Sequence, residues 1–333
     1  MSPSPLAGEG NRRSFTLDEF DSIARLFRPL ALGAPEALGL LDDAAVLSSR
    51  PGFDLVVTTD AMVEGVHFLP DDPPDLIARK LLRVNLSDLA AKAAEPYGYL
   101  LTVAWSPAWD EEKRAAFARG LGQDQAAFGL KLFGGDTVST PGPMSISATL
   151  FGWTPEGRMI RRSGARVGDA VLVSGTIGDG WLGLRAARGE LDLPADDLAY
   201  LAGRYRLPEP RLVLRSALAL YASAAADVSD GLLADAGHIG EASGAGLEID
   251  LDRLPRSGPA IRSASTAVEL AVGGDDYEIV CTAAPEHVPS LIAAAAASDT
   301  ALTVIGGVVA GAGVSARVGG HAVALGRLGW RHA

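Results

Sequence analysis

Cysteine is almost absent. The single Cys281 excludes an intrachain disulfide framework and a cysteine-rich zinc site. Lysine is scarce too: Lys80, Lys92, Lys113 and Lys131 are the whole complement, and arginine carries the remaining basic charge. That reads as a bias of composition rather than of mechanism. Basic charge is short overall. Lys+Arg 29 against Asp+Glu 41 leave a formal net charge of −12. This argues against a nucleic-acid binder that neutralises phosphates with a basic surface. No run approaches about 18 apolar residues without a charge, so no transmembrane helix is expected. The opening MSPSPLAGEGNRR lacks a signal peptide's basic start and apolar run. Residues 1–14 are expected to form a flexible tail, and a cytoplasmic setting fits. Several catalytic signatures are also missing. There is no Walker A loop, no G-x-G-x-x-G after a strand, no H-E-x-x-H and no G-x-S-x-G.

What is present points to two domains. The chain has 333 residues and is 48% hydrophobic, enough for two cores. Leu17, Phe20, Ile23, Ala24 and Phe27 recur at helical spacing ahead of Pro29. DAAVL (43–47) and DLVVTTD (54–60) read as strands. Residues 75–94 and 110–129 read as helices. In the first, Leu82, Leu86 and Leu89 share one face, and Asn85, Asp88 and Lys92 another. Taken alone, that second face is a solvated one. YGYLLTVAW, LKLF and MSISATLFGW read as strands, with GGDT (134–137) as a turn. TPEGR (154–158) marks a plausible boundary. Beyond it, strands and helices alternate irregularly, including AVLVSG, helices near 180–188 and 196–206, ADVSDGLLADAGHIGEAS as strand, turn and helix with Ser229 as N-cap, and GGDDYEIVCTA as a turn feeding a strand. Both halves are α+β.

One pattern recurs. An apolar strand is followed by aspartate beside Gly, Ser or Thr, at Asp43, Asp60, Asp136, Asp227 with Asp230, and Asp275 with Asp276. Each alone is most simply a turn aspartate bonding local amides. Together they fit a site where carboxylates converge, which would repel unless cations lay between them. Hard cations such as Mg²⁺ suit such oxygen ligands, with phosphates and water completing the shell. The loops GTIGDG (175–180) and GGD (134–136, 273–275) could let backbone amides approach a phosphate, although a Gly-rich turn is first of all a turn. His67, in EGVHF, is the only histidine close in sequence to a candidate acidic turn. The residues alone reach a possible Mg²⁺-dependent phosphate enzyme and stop there.

Taken in order, DDAAVL (42–47), TTDAMVEGVHF (58–68), VNLSDLAA (84–91), GGDT, RSGARVGD (162–169), DVSDGL (227–232), GGDDYE (273–278) and the terminal GW-R-H (329–332) resemble the thiamine-monophosphate kinase family. That family lies within the superfamily of aminoimidazole-ribonucleotide synthetase. The resemblance implies an α+β fold of two domains. Residues 15–153 would form an N-terminal mixed-sheet domain that pairs with a second copy into a dimer barrel and binds Mg and ATP. Residues 154–333 would form a C-terminal α/β sandwich domain that completes the cleft. The implied reaction is ATP plus thiamine monophosphate giving ADP plus thiamine diphosphate, transferred directly without a phospho-enzyme. Asp43, Thr58 (through its carbonyl), Thr59, Asp60, Asp88, Asp136, Asp227 and Asp230 would bind several Mg²⁺ ions. Gly135, Asp136, Arg162 and Ser229 would hold ATP. His67, Asp275 and Trp330 would hold thiamine monophosphate.

Physics makes these roles coherent. Phosphoryl transfer is mostly positioning and charge neutralisation, so no catalytic acid or base is demanded. Arg162 suits a bidentate phosphate contact. An aromatic face such as Trp330 suits a cationic thiazolium, worth about 0.5–2 kcal/mol. The sequence departs from the family pattern in three places. Leu41 stands where Gly is usual, Asp275 where Glu is common, and Gly-Trp-Arg-His-Ala where Gly-aromatic-Asp-His-Phe is usual. Two alternatives remain: another ATP-dependent synthetase of the superfamily, or a catalytically silent nucleotide-binding homologue.

Overall fold

The computed structural model describes residues 19–330. The expected tail, Leu17 of the first helix, and Arg331, His332 and Ala333 of the terminal motif lie outside the described residues. The first helix is short. α1 (Glu19–Ser22) widens into a π segment (Ile23–Phe27) and ends as a 3-10 turn (Arg28–Ala31) around Pro29.

The first half is a four-stranded sheet backed by two helices. In chain order come β1 (Phe53–Val63), α2 (Pro74–Ala91), β2 (Glu95–Trp105), α3 (Glu111–Phe128), β3 (Leu132–Ser139) and β4 (Ser145–Pro155). The sheet order is β1-β4-β2-β3. The β1/β4 and β4/β2 pairs are antiparallel, and β2/β3 is parallel across the α3 crossover. Side chains alternate across the sheet. Val56, Met62, Tyr99, Leu101, Val103, Ile146, Ala148 and Leu150 pack against the helices. The other face is covered in part, where Phe133, Tyr97 and Phe151 pack with Ala31, Ala34 and Ala37 of the N-terminal segment. The rest carries Leu55, Val57, Leu100 and Val138, all exposed and uncovered among the described residues.

Two expectations fail here. DAAVL is not a strand; it runs as irregular chain, held by the Val46 N–H donating to the Glu36 carbonyl at 2.9 Å. GGDT is not a turn but the middle of β3. Glycine there has a packing reason: a Cβ on Gly135 would come within 1.8 Å of the Leu101 carbonyl oxygen.

The second half is a seven-stranded sheet of order β11-β10-β7-β9-β5-β8-β6. Its strands are β5 (Ala170–Ser174), β6 (Ala224–Asp227), β7 (Gly246–Asp250), β8 (Ile279–Ala283), β9 (Leu302–Val309), β10 (Gly313–Val318) and β11 (His321–Ala322). Only β10/β7 is parallel. Helices cover both faces: α4 (Asp179–Ala187), α5 (Ala195–Arg206), α6 (Arg215–Tyr221), α7 (Leu232–Ser243), α8 (Gly258–Arg262), α9 (Ala267–Val272) and α10 (Val288–Ala296). Val171, Val173, Ala224 and Ala226 belong to the core shared with α7 and α4. Leu172, Ala225, Ile279 and Cys281 belong to a third core, shared with α6, α10 and the end of α2.

That last contact decides the architecture. α2 begins with Pro74, whose missing N–H costs nothing at the first helical position. One flank lies on the first sheet. The other is covered by the second half, so Leu81, Asn85 and Ser87 are all fully buried. The face carrying Asn85, Asp88 and Lys92 is therefore a domain junction and not a solvated surface. Lys92 Nζ donates to the Ala225 carbonyl at 2.8 Å, and Arg83 Nη1 to the Pro208 carbonyl at 3.0 Å. Arg206 pairs with Asp72 at 2.5 Å. No helix among the described residues is long and apolar enough to cross a membrane.

Candidate active site

The site grows from the ends of β1 and β6 against α2. In β1, Thr58 and Asp60 face α2, while Thr59 faces the uncovered side. Thr58 Oγ1 donates to Asp88 Oδ2 at 2.5 Å. Thr59 Oγ1 donates to the Ala148 carbonyl at 3.1 Å. In β6 the alternation puts Asp227 on the same face as Ala225, toward α2. Asp60, Asp88 and Asp227 thus converge in the domain junction. Their electrostatics record it. Burial, then the Asp88 charge, pushes the Asp60 carboxyl up to about 7. Burial, then Asp88 and Asp235, pushes Asp227 well above the carboxylate range, with Asp60 adding to it. Carboxylates in this arrangement fit a cation, since bringing one in relieves both the burial and the repulsion. Asp60, Asp88 and Asp227 would hold Mg²⁺.

Beside them opens a cavity of about 570 Å³ between the halves, lined by Asp60, His67, Ser229, Asp230, Asp275 and Trp330 among others. Six of the residues expected from the sequence therefore face one space. Trp330 is 50% exposed, and its ring lies 5.7 Å from the Arg327 guanidinium. Its backbone N–H donates to the Asp230 carbonyl at 2.8 Å, which ties the chain terminus to the DVSDGL turn. Ser229 is not the N-cap of α7; that position is Gly231, with φ of 124°. The turn is held instead by Asp235, whose Oδ2 accepts from the Ser229 and Asp230 amides at 3.0 and 3.2 Å. Burial, then Asp230, pushes the Asp235 carboxyl up to about 7. Arg162, on an exposed stretch of the connector, is close enough for its charge to act on both Asp235 and Lys92.

Asp43, Gly135 and Asp136 lie elsewhere. They line a second cavity, of about 830 Å³, with Phe133, Phe151 and Leu47. Register fixes the separation. Asp136 pairs laterally with Thr102, Thr102 with Ser147, and Ser147 with Ala61. Asp136 is therefore three strand spacings from β1, roughly 14 Å at about 4.8 Å each. It also projects from the uncovered face, opposite to Asp60.

Asp235, Lys80, Tyr277 and Trp181 were not anticipated. Lys80 and Tyr277 line the first cavity, as does Trp181 under the Arg185 guanidinium. The scarcity of lysine was the available signal for Lys80: of the four lysines, Lys80 sits on α2 and Lys92 caps its end, both at the junction.

Comparison with known proteins places both halves in one family. Residues 41–154 match the N-terminal domain of AIR synthase related protein, and residues 166–319 its C-terminal domain. The chain is 56% identical to a thiamine-monophosphate kinase of Caulobacter vibrioides over 94% of this chain and 90% of that protein. It superposes on the crystal structure of thiamine-monophosphate kinase from Stenotrophomonas maltophilia with a TM-score of 0.81 and 38% identity, covering 92% of this chain and 98% of that one. A second similar structure, AaThiL complexed with AMPPCP and TMP, gives a TM-score of 0.76 at 31% identity over 86% of this chain and 89% of that one. The chain belongs to the thiamine-monophosphate kinase family, built on the two AIR synthase-related domains.

Proposed function

We propose that the protein transfers the γ-phosphoryl group of ATP to thiamine monophosphate, giving thiamine diphosphate and ADP. The observation that carries this reading is the junction cavity. A converging carboxylate set, Asp60, Asp88 and Asp227, reaches through Asp60 a space also lined by His67, Asp275 and the half-exposed Trp330. The kinship to thiamine-monophosphate kinases and the similar chain solved with AMPPCP and TMP support it.

In this reading an oxygen of the thiamine-monophosphate phosphate attacks the γ-phosphorus in line with the departing ADP oxygen. That oxygen is already ionised, so no side chain need take a proton. Mg²⁺, when bound, supplies positive charge that offsets repulsion between the two polyanions. The chain's work is positioning. Asp60, Asp88, Asp227 and Asp230 hold the cations at the cleft. Ser229 and Arg162 hold the ATP phosphates. Trp330 offers a π face to the thiazolium, and His67 and Asp275 orient the same end.

Asp43, Thr59, Gly135 and Asp136 enter through a homodimer. The uncovered sheet face, with Val57 at 53% and Val138 at 48% exposure, is an apolar surface of the kind that pairs. A second copy packed there brings its own Asp43, Gly135 and Asp136 toward the β1 edge, so that each site draws on two chains.

The test is turnover. Purified protein with Mg²⁺, ATP and thiamine monophosphate should yield thiamine diphosphate and ADP in a one-to-one ratio. ATP consumption without thiamine diphosphate, or preference for another phosphorylated metabolite in a panel, overturns the assignment. Binding without turnover would mark a silent homologue.

A further inference from the structure

A buried lysine forms part of the wall of the junction cavity. Lys80, on α2, is 3% exposed. Its ammonium donates to the His67 carbonyl at 3.1 Å and to Asp275 Oδ2 at 3.3 Å, and it sits 3.7 Å from the centre of the Tyr205 ring. The two hydrogen-bond acceptors come from different domains. His67 follows β1 in the first, and Asp275 precedes β8 in the second.

Asp275 is held on its other side too. Its Oδ1 accepts from the Tyr277 hydroxyl at 3.2 Å. Asp275 and Tyr277 both adopt left-handed backbone, with φ of 69° and 52°. For residues other than Gly this costs on the order of 1–3 kcal/mol each and persists only where the surroundings enforce it. The surroundings here are two backbone bonds, Asp275 N–H to the Ser229 carbonyl at 2.9 Å and Tyr277 N–H to the Val228 carbonyl at 2.8 Å. The His67 turn is braced in parallel: its carbonyl also accepts from the Tyr205 hydroxyl at 3.3 Å, and its Nδ1 from the Val63 amide at 3.0 Å.

We propose that Lys80 is a positioning residue for the thiamine end of the substrate: one ammonium, bonded across the domain junction to His67 and Asp275, sets the two groups in register with each other. The inference rests on the thiamine-monophosphate reading and deepens it. A buried ion pair is a poor device for stability, since desolvation offsets most of its attraction. Its value is geometric. With Lys80 on Oδ2 and Tyr277 on Oδ1, the carboxylate plane of Asp275 is fixed, while each oxygen keeps a lone pair for a donor on the ligand. This also accounts for an aspartate where the family commonly has glutamate. The shorter side chain is bound from both sides and has little rotamer freedom to lose on binding.

The experiment is steady-state kinetics on Lys80→Met, Asp275→Asn and the double variant, in the intact dimer. Wild-type turnover of thiamine monophosphate is the control: its failure overturns the functional reading, independently of Lys80. Given that turnover, Lys80→Met should raise the KM for thiamine monophosphate about tenfold with the ATP KM changed less than about twofold. The double variant should be no worse than the worse single, because both remove one unit. An equal rise in both KM values, or losses that multiply in the double variant, overturns the proposal. Tyr277→Phe removes one hydroxyl from the same carboxylate and reads it independently. It should raise the thiamine-monophosphate KM alone; unchanged KM values for both substrates overturn the proposal.

Discussion

Asp60 and Asp136 stand on opposite faces of one four-stranded sheet, near opposite edges of it. Two residues expected in a single metal cage therefore cannot meet within one chain. In the proposed homodimer a second copy packed on that face would resolve this, and the consequence is measurable. Asp60→Asn and Asp136→Asn should each abolish transfer while the protein stays folded. Co-expressed, the two variants form mixed dimers in which one of the two sites has both aspartates intact. With random pairing about half the dimers are mixed, so activity should return to about a quarter of wild type. Mixtures as inactive as either parent would place both aspartates of a site on one chain.

The raised carboxyl of Asp60 sets the pH response of the metal-free protein. Its folded value of about 7 lies above the ordinary carboxylate value of 3.8. Protonation is thus favoured by the fold. The contribution is fully present below pH 4 and is lost as the pH rises to about 7, amounting to a few kcal/mol, about 2–4. Asp235 shifts in the same direction. Thermal unfolding in chelator should show Tm falling over that window, and Asp60→Asn should flatten the fall. Added Mg²⁺ should raise Tm more at pH 8 than at pH 5, since only the ionised carboxylates bind it. An equal rise at both values would remove these carboxylates from the cation site.

Trp330 lines the junction cavity and is half exposed. Trp330→Ala should raise the KM for thiamine monophosphate more than the KM for ATP, by several-fold, and Trp330→Phe should recover most of the loss. Equal effects on both substrates would make the indole a packing group for the chain terminus.

Asp235 secures two backbone amides of the DVSDGL turn. Asp235→Ala leaves both without that acceptor and should cost about 1–3 kcal/mol of stability. Because Ser229 and Asp230 lie in that turn, the ATP KM should rise with it. Calorimetry and ATP titration together check this; lost stability with unchanged ATP KM would detach the turn from the nucleotide.

Much of this was legible in the residues. The β-branched run DLVVTTD marked β1, and period two alone sends Thr58 and Thr59 to opposite faces. The spaced motifs of the family gave the two domains and the cleft. What remained hidden depended on neighbours in space. Asn85, Asp88 and Lys92 read as a wet helix face because nothing local announces a second sheet lying over it. GGDT read as a turn because its glycines look like punctuation, whereas Gly135 is there to let β3 pass the Leu101 carbonyl. Ser229 had the chemistry of an N-cap, but Asp235, one turn into the helix, accepts the amides instead. Lys80 was hidden as a compositional oddity until its three partners came from three separate stretches of chain.

Helix α2 is interior to both cores at once, with Leu82 and Leu86 in one and Ala90 and Ala91 in the other. The two family domains are therefore not exchangeable parts. Residues 19–155 made alone would leave the α2 flank bare, and residues 166–330 would lack the helix that closes their third core. A chimera that borrows its second half from a relative must borrow the matching side of α2 as well. The chain is a single unit for any engineering, with its seam inside a helix.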